Sequence, residues 1–187
     1  KDFAEAAKWY RKTSQMESQS EDTLGNDILW LRRAASQGHA RAQNHLAGLY
    51  ERGEAVSHSR HECLKWYRRA AEQGNDLAQY NLARMLDQSD DALSWYHKSA
   101  DQGNILSQVE LGYHYQTENE VAAFKWLRLA AEHGHSDAQY QLGLMYRNGR
   151  GSEIHFFEAI HWLRRAAEQD HLPAIGALQK LEYSQKV

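Results

Sequence analysis

Six tryptophans recur in similar local sequence and give the chain an internal register. Each of the last five is followed twelve residues later by a small residue and sixteen residues later by a leucine. Positions four apart lie on one face of an α-helix, so a helix with a constant inward face is predicted after each tryptophan. From the second tryptophan on, the repeat of 29 to 36 residues is typical of stacked repeat proteins. The tryptophans are Trp9, Trp30, Trp66, Trp95, Trp126 and Trp162, the small residues are Ala42, Ala78, Ser107, Ala138 and Ala174, and the leucines are Leu46, Leu82, Leu111, Leu142 and Leu178.

The composition favours helices over strands. The 187 residues include 25 Ala and 20 Leu, against only 4 Val, 5 Ile, 3 Thr and a single proline. Because β-branched residues favour strands, this balance excludes a β-sandwich, a barrel or a parallel sheet. Hydrophobic residues make up 42% of the chain and the mean hydropathy is −0.81, which indicates an elongated protein with a thin core.

The segment around each tryptophan is also predicted to be helical. Glycine stands eight residues after four of the tryptophans, where a helix ends in the left-handed conformation, and the next helix begins two or three residues later. Each unit is therefore predicted to be a helical hairpin. Its tryptophan is predicted to be a core anchor beside small residues, and not a platform for bases, sugars or peptides. The glycines are Gly38, Gly74, Gly103 and Gly134.

These motifs resemble the Sel-one-like repeat (SLR) family, a relative of the tetratricopeptide repeats. The resemblance depends on the WYRRAAEQG phrase that ends at Gly74, on AQYNL from Ala78 to Leu82, and on AEHGHSDAQYQLGLMYRNGRG from Ala131 to Gly151. It covers nearly the whole chain. It implies an all-α fold, a right-handed superhelical solenoid of stacked antiparallel helix pairs.

The sequence predicts one domain over residues 1–187 with about five repeats. Residues 1–26 are predicted to be a degenerate or truncated first unit, because only 21 residues separate Trp9 from Trp30, and Met16 to Asn26 is predicted to be a loop or an eroded helix. Residues 171–187 are predicted to be a C-terminal cap helix. The chain opens on a tryptophan-bearing helix, so we expect a fragment of a longer protein. That protein is expected in the cytoplasm or, if a signal was removed upstream, in the periplasm or outside the cell.

Charge and hydropathy narrow the expected partners. The formal net charge is −3 and the isoelectric point is near 6.4, which gives no basic footprint for nucleic acid. No apolar run approaches the roughly 18 to 20 residues that span a bilayer. We therefore expect a protein or peptide partner, no nucleic acid, no membrane insertion and a monomeric chain.

Basic pairs follow most of the tryptophans after two and three residues. Acidic side chains stand one helical turn beyond several of them, as Glu72 does after Arg68 and Glu132 after Arg128. Residues four apart on a helix can form ion pairs, so a self-neutralised, solvated face is predicted rather than a phosphate-binding stripe.

No metal, cofactor or catalytic site is predicted. His58, His61 and Cys63 are the densest group of potential ligands, with His133 and His135 elsewhere, but zinc needs four converging ligands and the usual spacings are absent. Cys63, the only cysteine, occupies an inward position where alanine usually stands. No nucleophile with a base and an orienting group emerges, so a non-enzymatic protein is predicted. The alternative, which the resemblance implies for some relatives, is a hydrolase of cell-wall or β-lactam substrates.

A protein-binding face is predicted on the first helix of each pair, which usually lines the concave surface of a solenoid. The positions fourteen, fifteen and eighteen residues after the tryptophans vary in chemistry while the inward positions do not. The resemblance adds that SLR proteins act as adaptors, and that bacterial ones serve envelope assembly, host contact or neutralisation of a partner effector. The predicted binding residues are Asn44, His45, Tyr80, Asn81, Arg84, Val109, Glu110, Tyr113, Tyr140, Gln141 and Leu144.

Overall fold

The computed structural model describes residues 21–54, 56–86 and 89–184. Within them every regular element is an α-helix, and short turns join the helices. The helices are α1 (Glu21–Ser36), α2 (Ala40–Arg52), α3 (Arg60–Glu72), α4 (Asp76–Met85), α5 (Asp90–Asp101), α6 (Ile105–Tyr115), α7 (Glu120–Glu132), α8 (Ser136–Asn148), α9 (Phe156–Ala167) and α10 (Leu172–Ser184). The prediction of an all-α fold is confirmed, and the helix bounds follow the predicted hairpins. No helix among the described residues has both the length and the apolar character that a membrane crossing demands.

The chain forms two compact units, Lys1–Ser99 and Ala100–Val187. In the first unit, α2 packs against α1 and α3, and α3 packs against α4. Its core is made of the small and leucine columns that the sequence identified, with Leu46 and Leu82 buried beside alanines. These columns let neighbouring helices approach closely.

In the second unit each helix from α6 to α10 packs against the next one along the chain. Leu111 and Leu142 are fully buried here, as their column predicts, and Ala138 and Ala174 lie at helix contacts. The last helix, α10, falls within the segment predicted as a C-terminal cap. Of the segment Met16 to Asn26, residues 21–26 are helical, and the remainder, like Trp9, lies outside the described residues.

The turns within the hairpins follow the glycine prediction. The four glycines have φ between 86° and 96°, a left-handed conformation that glycine adopts without strain. The residue after each of them is the N-cap of the next helix, and the side chains of Asn75 and Asn104 accept hydrogen bonds from backbone N–H groups of that helix. In the last hairpin Asp170 takes the place of glycine with φ at 59°.

The tryptophans are less central than predicted. Trp126 and Trp162 are 5% and 8% exposed, but Trp30 is 36% exposed, and Trp66 and Trp95 are half-buried. The prediction of a core anchor is therefore wrong for Trp30, whereas Trp66 and Trp95 still pack against the core with part of their rings. In four of the described hairpins the next residue along the helix is more buried than the tryptophan; these residues are Leu31, Tyr67, Leu127 and Leu163.

Helical glycines show this packing. A Cβ added at Gly112 would lie 2.5 Å from Cγ of Leu127, and one added at Gly143 would lie 2.8 Å from Cγ of Leu163. Both leucines directly follow a tryptophan and are fully buried. Leucine, and not the tryptophan ring, thus occupies the space that glycine leaves on the neighbouring helix.

A buried glutamine in the first helix of several hairpins ties successive helices together. Gln43 donates from Nε2 to the carbonyl of Ala35 at the end of α1, and Gln139 does the same to Ala131 at the end of α7. Each also accepts a hydrogen bond from a glutamine that follows the next tryptophan helix, Gln73 at 2.6 Å and Gln169 at 2.8 Å. We call this arrangement the glutamine clamp. Gln79 and Gln108 make the same bond to the carbonyl eight residues earlier.

Candidate protein-binding face and cleft

In the first unit, the predicted binding residues lie on α2 and α4 and interact across the two helices. Asn81 donates from Nδ2 to Oδ1 of Asn44 at 3.1 Å. His45 lies at the surface, and partial desolvation of its imidazole by neighbouring groups, with the charge of Arg52 beside it, lowers its pKa below 6.5. Tyr80 packs its ring at 6.1 Å from that of Tyr96. The hydrogen bond between Asn44 and Asn81 therefore joins the predicted residues of α2 to those of α4.

In the second unit, the predicted residues lie on α6 and α8. Tyr113 is 40% exposed and forms a hydrogen bond with Gln141. Burial raises the pKa of Tyr113, and the charges of Asp137 and Glu110 act in the same direction, so its hydroxyl is protonated at neutral pH.

The rest of this face is more packed. Tyr140 lies against the imidazole of His171 with 4.9 Å between ring centroids, and Leu144 packs against the core beside α10. Glu110 is exposed. The sequence prediction for Val109 is wrong, because this side chain is 7% exposed and belongs to the core formed with Leu127 and Leu142. An apolar side chain fourteen residues after its tryptophan turns inward where the polar residues of other hairpins stay at the surface.

A cleft that the sequence did not predict lies in the first unit. It encloses about 180 Å³ and is lined by Glu51, His58, Arg60, Arg84 and Met85. We call it the arginine cleft. It brings together the end of α2, the start of α3 and the end of α4, so one predicted binding residue, Arg84, forms part of its wall.

Glu51 is the centre of a polar network in this cleft. It forms an ion pair with Arg84 and accepts a hydrogen bond at 2.8 Å from the hydroxyl of Tyr67, which is almost fully buried. Burial alone would raise the pKa of Glu51, but the hydrogen bonds from Arg84 and Tyr67 outweigh it and lower that pKa below 4.5. The carboxylate is therefore ionised at neutral pH. Burial of Tyr67, together with its hydrogen bond to the negatively charged Glu51, raises the pKa of the phenol and keeps it neutral.

The burial and the positions of the potential metal ligands bear on whether the chain could bind a metal ion. Cys63 is buried and contacts the Sδ of Met85 at 3.1 Å. Burial raises the pKa of this thiol to about 12, with the charge of Glu51 acting in the same direction, so the thiolate that a metal or a nucleophilic reaction needs is not populated near neutral pH. Across the described ranges no three His, Cys, Asp or Glu side chains converge as a metal site would require.

The basic pairs are largely engaged within the chain. In the four pairs that the structure describes, the second member lies over the ring of its own tryptophan, at centroid distances of 5.7 Å for Arg33, 4.9 Å for Arg69, 3.9 Å for Lys98 and 5.2 Å for Arg165. Arg128 forms the predicted ion pair with Glu132 at 2.9 Å. These cations lie over the indole rings of their own helices, an interaction that the sequence patterns did not predict.

Exposed apolar side chains also gather at the starts of α7 and α9. Val121, Phe156 and Phe157 lie there, and Phe157 is 92% exposed. Arg150, in the connection before α9, forms an ion pair with Glu120 at 2.7 Å and so holds that connection near the start of α7. The sequence analysis examined only the first helix of each pair and missed these residues.

Comparison with known proteins agrees with this architecture. The Sel1 repeat model matches residues 1–18, 28–39, 40–75, 76–104, 105–135 and 136–171. The crystal structure of a Sel1 repeat protein from Oxalobacter formigenes is 33% identical with a TM-score of 0.79, over 83% of this chain and 48% of that one. A protective antigen with an SLR fold, present in uropathogenic Escherichia coli strains, is 32% identical with a TM-score of 0.81, over 98% of this chain and 41% of that one.

The chain thus spans less than half the length of both of these proteins. An immunity protein from Pseudomonas aeruginosa is 22% identical with a TM-score of 0.59, over 91% of this chain and 68% of that one. At that level of identity the likeness extends to the fold alone.

Proposed function

The chain belongs to the Sel1 repeat family, as its motifs predicted, and from this premise we propose that it is a non-enzymatic scaffold that binds a protein or peptide partner. The proposed surface is the set of predicted residues on the first helices of the hairpins, without Val109. The observation that carries it is the contrast between constant, buried columns and neighbouring exposed positions of varied chemistry, such as His45, Glu110 and Tyr113. Tyrosine and arginine side chains are common energetic centres of protein interfaces.

The alternative function, hydrolysis of cell-wall or β-lactam substrates, needs an activated nucleophile. Cys63 is buried and its thiol is protonated at neutral pH, which disfavours it in that role. The carboxylate of Glu51 is held by Arg84 and Tyr67 rather than by a catalytic partner. These contacts support a binding function over a catalytic one.

The proposed setting is a bacterial one, in envelope assembly, host contact or neutralisation of an effector. Its support is the likeness to proteins of Oxalobacter and Escherichia, the second of which is described as a protective antigen. The partner's identity is a question for experiment.

Affinity capture with purified chain tests the proposal directly. We expect a variant with His45, Glu110 and Tyr113 all changed to alanine to lose at least about nine-tenths of a captured protein, because a few exposed residues carry most of an interface's binding energy. The matched control changes Arg68 and Glu72, exposed residues of α3, to alanine and should keep the partner. Equal capture by both variants would remove the proposed surface.

The enzymatic alternative has its own assay. The wild-type chain should not turn over a chromogenic β-lactam above the rate of a heat-denatured sample. Turnover that disappears on substitution of a single cleft residue would favour the hydrolase instead.

A further inference from the structure

The arginine cleft carries more positive than negative charge. Two guanidinium groups, from Arg60 and Arg84, line it against the single carboxylate of Glu51. Glu51 is already committed to Arg84 and Tyr67. Arg60 donates from Nη2 to the backbone carbonyl of Met85 at 2.7 Å, and within the described parts of the chain no carboxylate forms an ion pair with it. A bound anion would therefore find an unneutralised guanidinium group in the cleft.

Arg60 is the first residue of α3, where the helix dipole presents its positive end. The first turn also contains Glu62, but this carboxylate is bound to Lys65 and to the indole N–H of Trp66. A negative group bound beside Arg60 would interact favourably with both the guanidinium and the helix end.

The network beneath the cleft is built on a buried tyrosine. Among the described hairpins the residue after the tryptophan is leucine at positions 31, 127 and 163 and tyrosine at positions 67 and 96. Tyr67 is almost fully buried, and its hydroxyl reaches Glu51 from the core. A buried polar group is costly unless it is hydrogen-bonded, so the network holds Glu51 and Arg84 in place at the cleft wall.

We propose that the arginine cleft binds a carboxylate group of the partner, either an acidic side chain or a C-terminal carboxylate. Arg60 and Arg84 would act as its donors, because planar guanidinium groups match the geometry of carboxylates. This inference rests on the proposed function in that the carboxylate belongs to a protein. It differs in its location, since the cleft combines Arg84 of the predicted face with residues of α2, α3 and the connection between them.

Titration with short peptides tests the proposal without knowledge of the partner. The probes are acetyl-Ala-Asp-Ala-amide, acetyl-Ala-Ala-Ala with a free carboxylate, and the neutral acetyl-Ala-Asn-Ala-amide. Binding is followed by NMR through the side-chain Nε–H signals of Arg60 and Arg84. We expect millimolar affinity for at least one charged peptide, weakened by salt, and none for the neutral one. The two charged peptides distinguish a side-chain carboxylate from a terminal one.

Three variants separate binding from structure. Arg60→Gln should weaken peptide binding at least about fivefold, Arg60→Lys should retain part of it, and the matched control Arg68→Gln, at an exposed site on the same helix, should leave it unchanged. Glu51→Gln should strengthen binding at least about threefold, because it removes the competing negative charge and releases Arg84. A purely structural network would not produce that gain.

The proposal is overturned if charged and neutral peptides shift the arginine signals equally, or if Glu51→Gln fails to raise affinity in a variant whose circular dichroism is native. Its failure would leave the scaffold proposal standing, since the capture experiment uses residues outside the cleft. Unchanged capture by the His45, Glu110 and Tyr113 variant, together with intact peptide binding, would instead remove the proposed surface and leave the cleft proposal standing.

Discussion

Replacing His133 by glutamine should stabilise the chain by completing a glutamine clamp. In the following hairpin, Gln169 stands at the equivalent position and donates from Nε2 to the buried Oε1 of Gln139 at 2.8 Å. The buried Oε1 of Gln108 has no hydrogen-bond donor within the described segments, because histidine stands where the clamp needs an amide. His133 instead donates from Nδ1 to the carbonyl of Leu129 at 2.8 Å.

The expected gain follows from counting hydrogen bonds. Gln169 also donates to the carbonyl of Arg165, four residues back, so glutamine at position 133 would keep the bond that His133 makes and add one to Gln108. A buried acceptor left unsatisfied costs about 1 to 3 kcal/mol, and ordering a glutamine side chain costs up to about 2 kcal/mol. The net stabilisation should be about 1 kcal/mol. For a chain of this size that raises Tm by about 2 to 4 °C.

Calorimetry and urea unfolding followed by circular dichroism measure the effect. The matched control is the reverse change, Gln169→His, which should destabilise the chain by a similar amount because it removes the donor to Gln139. In a Gln108→Leu background, His133→Gln should give no gain, since the acceptor is gone. The same gain with and without Gln108, or no gain in the wild-type background, would refute the clamp as its cause.

Three further predictions follow from single contacts. Gly143→Ala should be less stable than Gly176→Ala by about 1 to 3 kcal/mol in chemical denaturation, because both gain helix propensity but only the first places a Cβ against Leu163, whereas open space surrounds Gly176. Asp170→Gly should raise Tm, since it relieves a positive φ at a gain of about 1 kcal/mol. The pKa of Glu51 is lower in the folded chain than its unfolded value of 4.5, so its ion pair stabilises the fold above that pH and loses this contribution as the pH falls through the folded pKa. The loss of stability in Glu51→Gln should therefore shrink between pH 6 and pH 3 in urea titrations, and a constant difference would contradict it.

The helices and their turns could be predicted because each depends on a pattern within one hairpin. The small residue and the leucine, Ala78 and Leu82 in one hairpin, repeat at helical spacing after each of the last five tryptophans, and Gly74 stands where a left-handed turn needs it. Such signals are local, and repetition separates them from coincidence. The glutamine beside Ala78 recurs in four of these five hairpins, but a polar residue next to a buried column is expected at the surface. Only the geometry reveals that Gln79 turns inward to a backbone carbonyl.

The arginine cleft escaped prediction for a different reason. Its residues come from three helices and stand at positions that other hairpins fill with unrelated chemistry, so no column marks them. Tyr67 gave no clear signal either, because tyrosine also follows Trp9 and Trp95, and only the structure shows that the hydroxyl of Tyr67 is buried against Glu51. The prediction for Val109 was wrong because this position is polar in the other hairpins of the predicted surface. Here it carries an apolar side chain, which joins the core.

The incomplete glutamine clamp at Gln108 also bears on the local unfolding of the second unit. Where it is complete, one amide joins the ends of two successive tryptophan helices, as Gln139 joins α7 and α9, so neither helix end can fray without disturbing the other. This is nearest-neighbour coupling, the source of cooperativity in repeat proteins. At Gln108 the coupling is reduced to the single bond with Ala100. We therefore expect the end of α7 to open locally before its neighbours do.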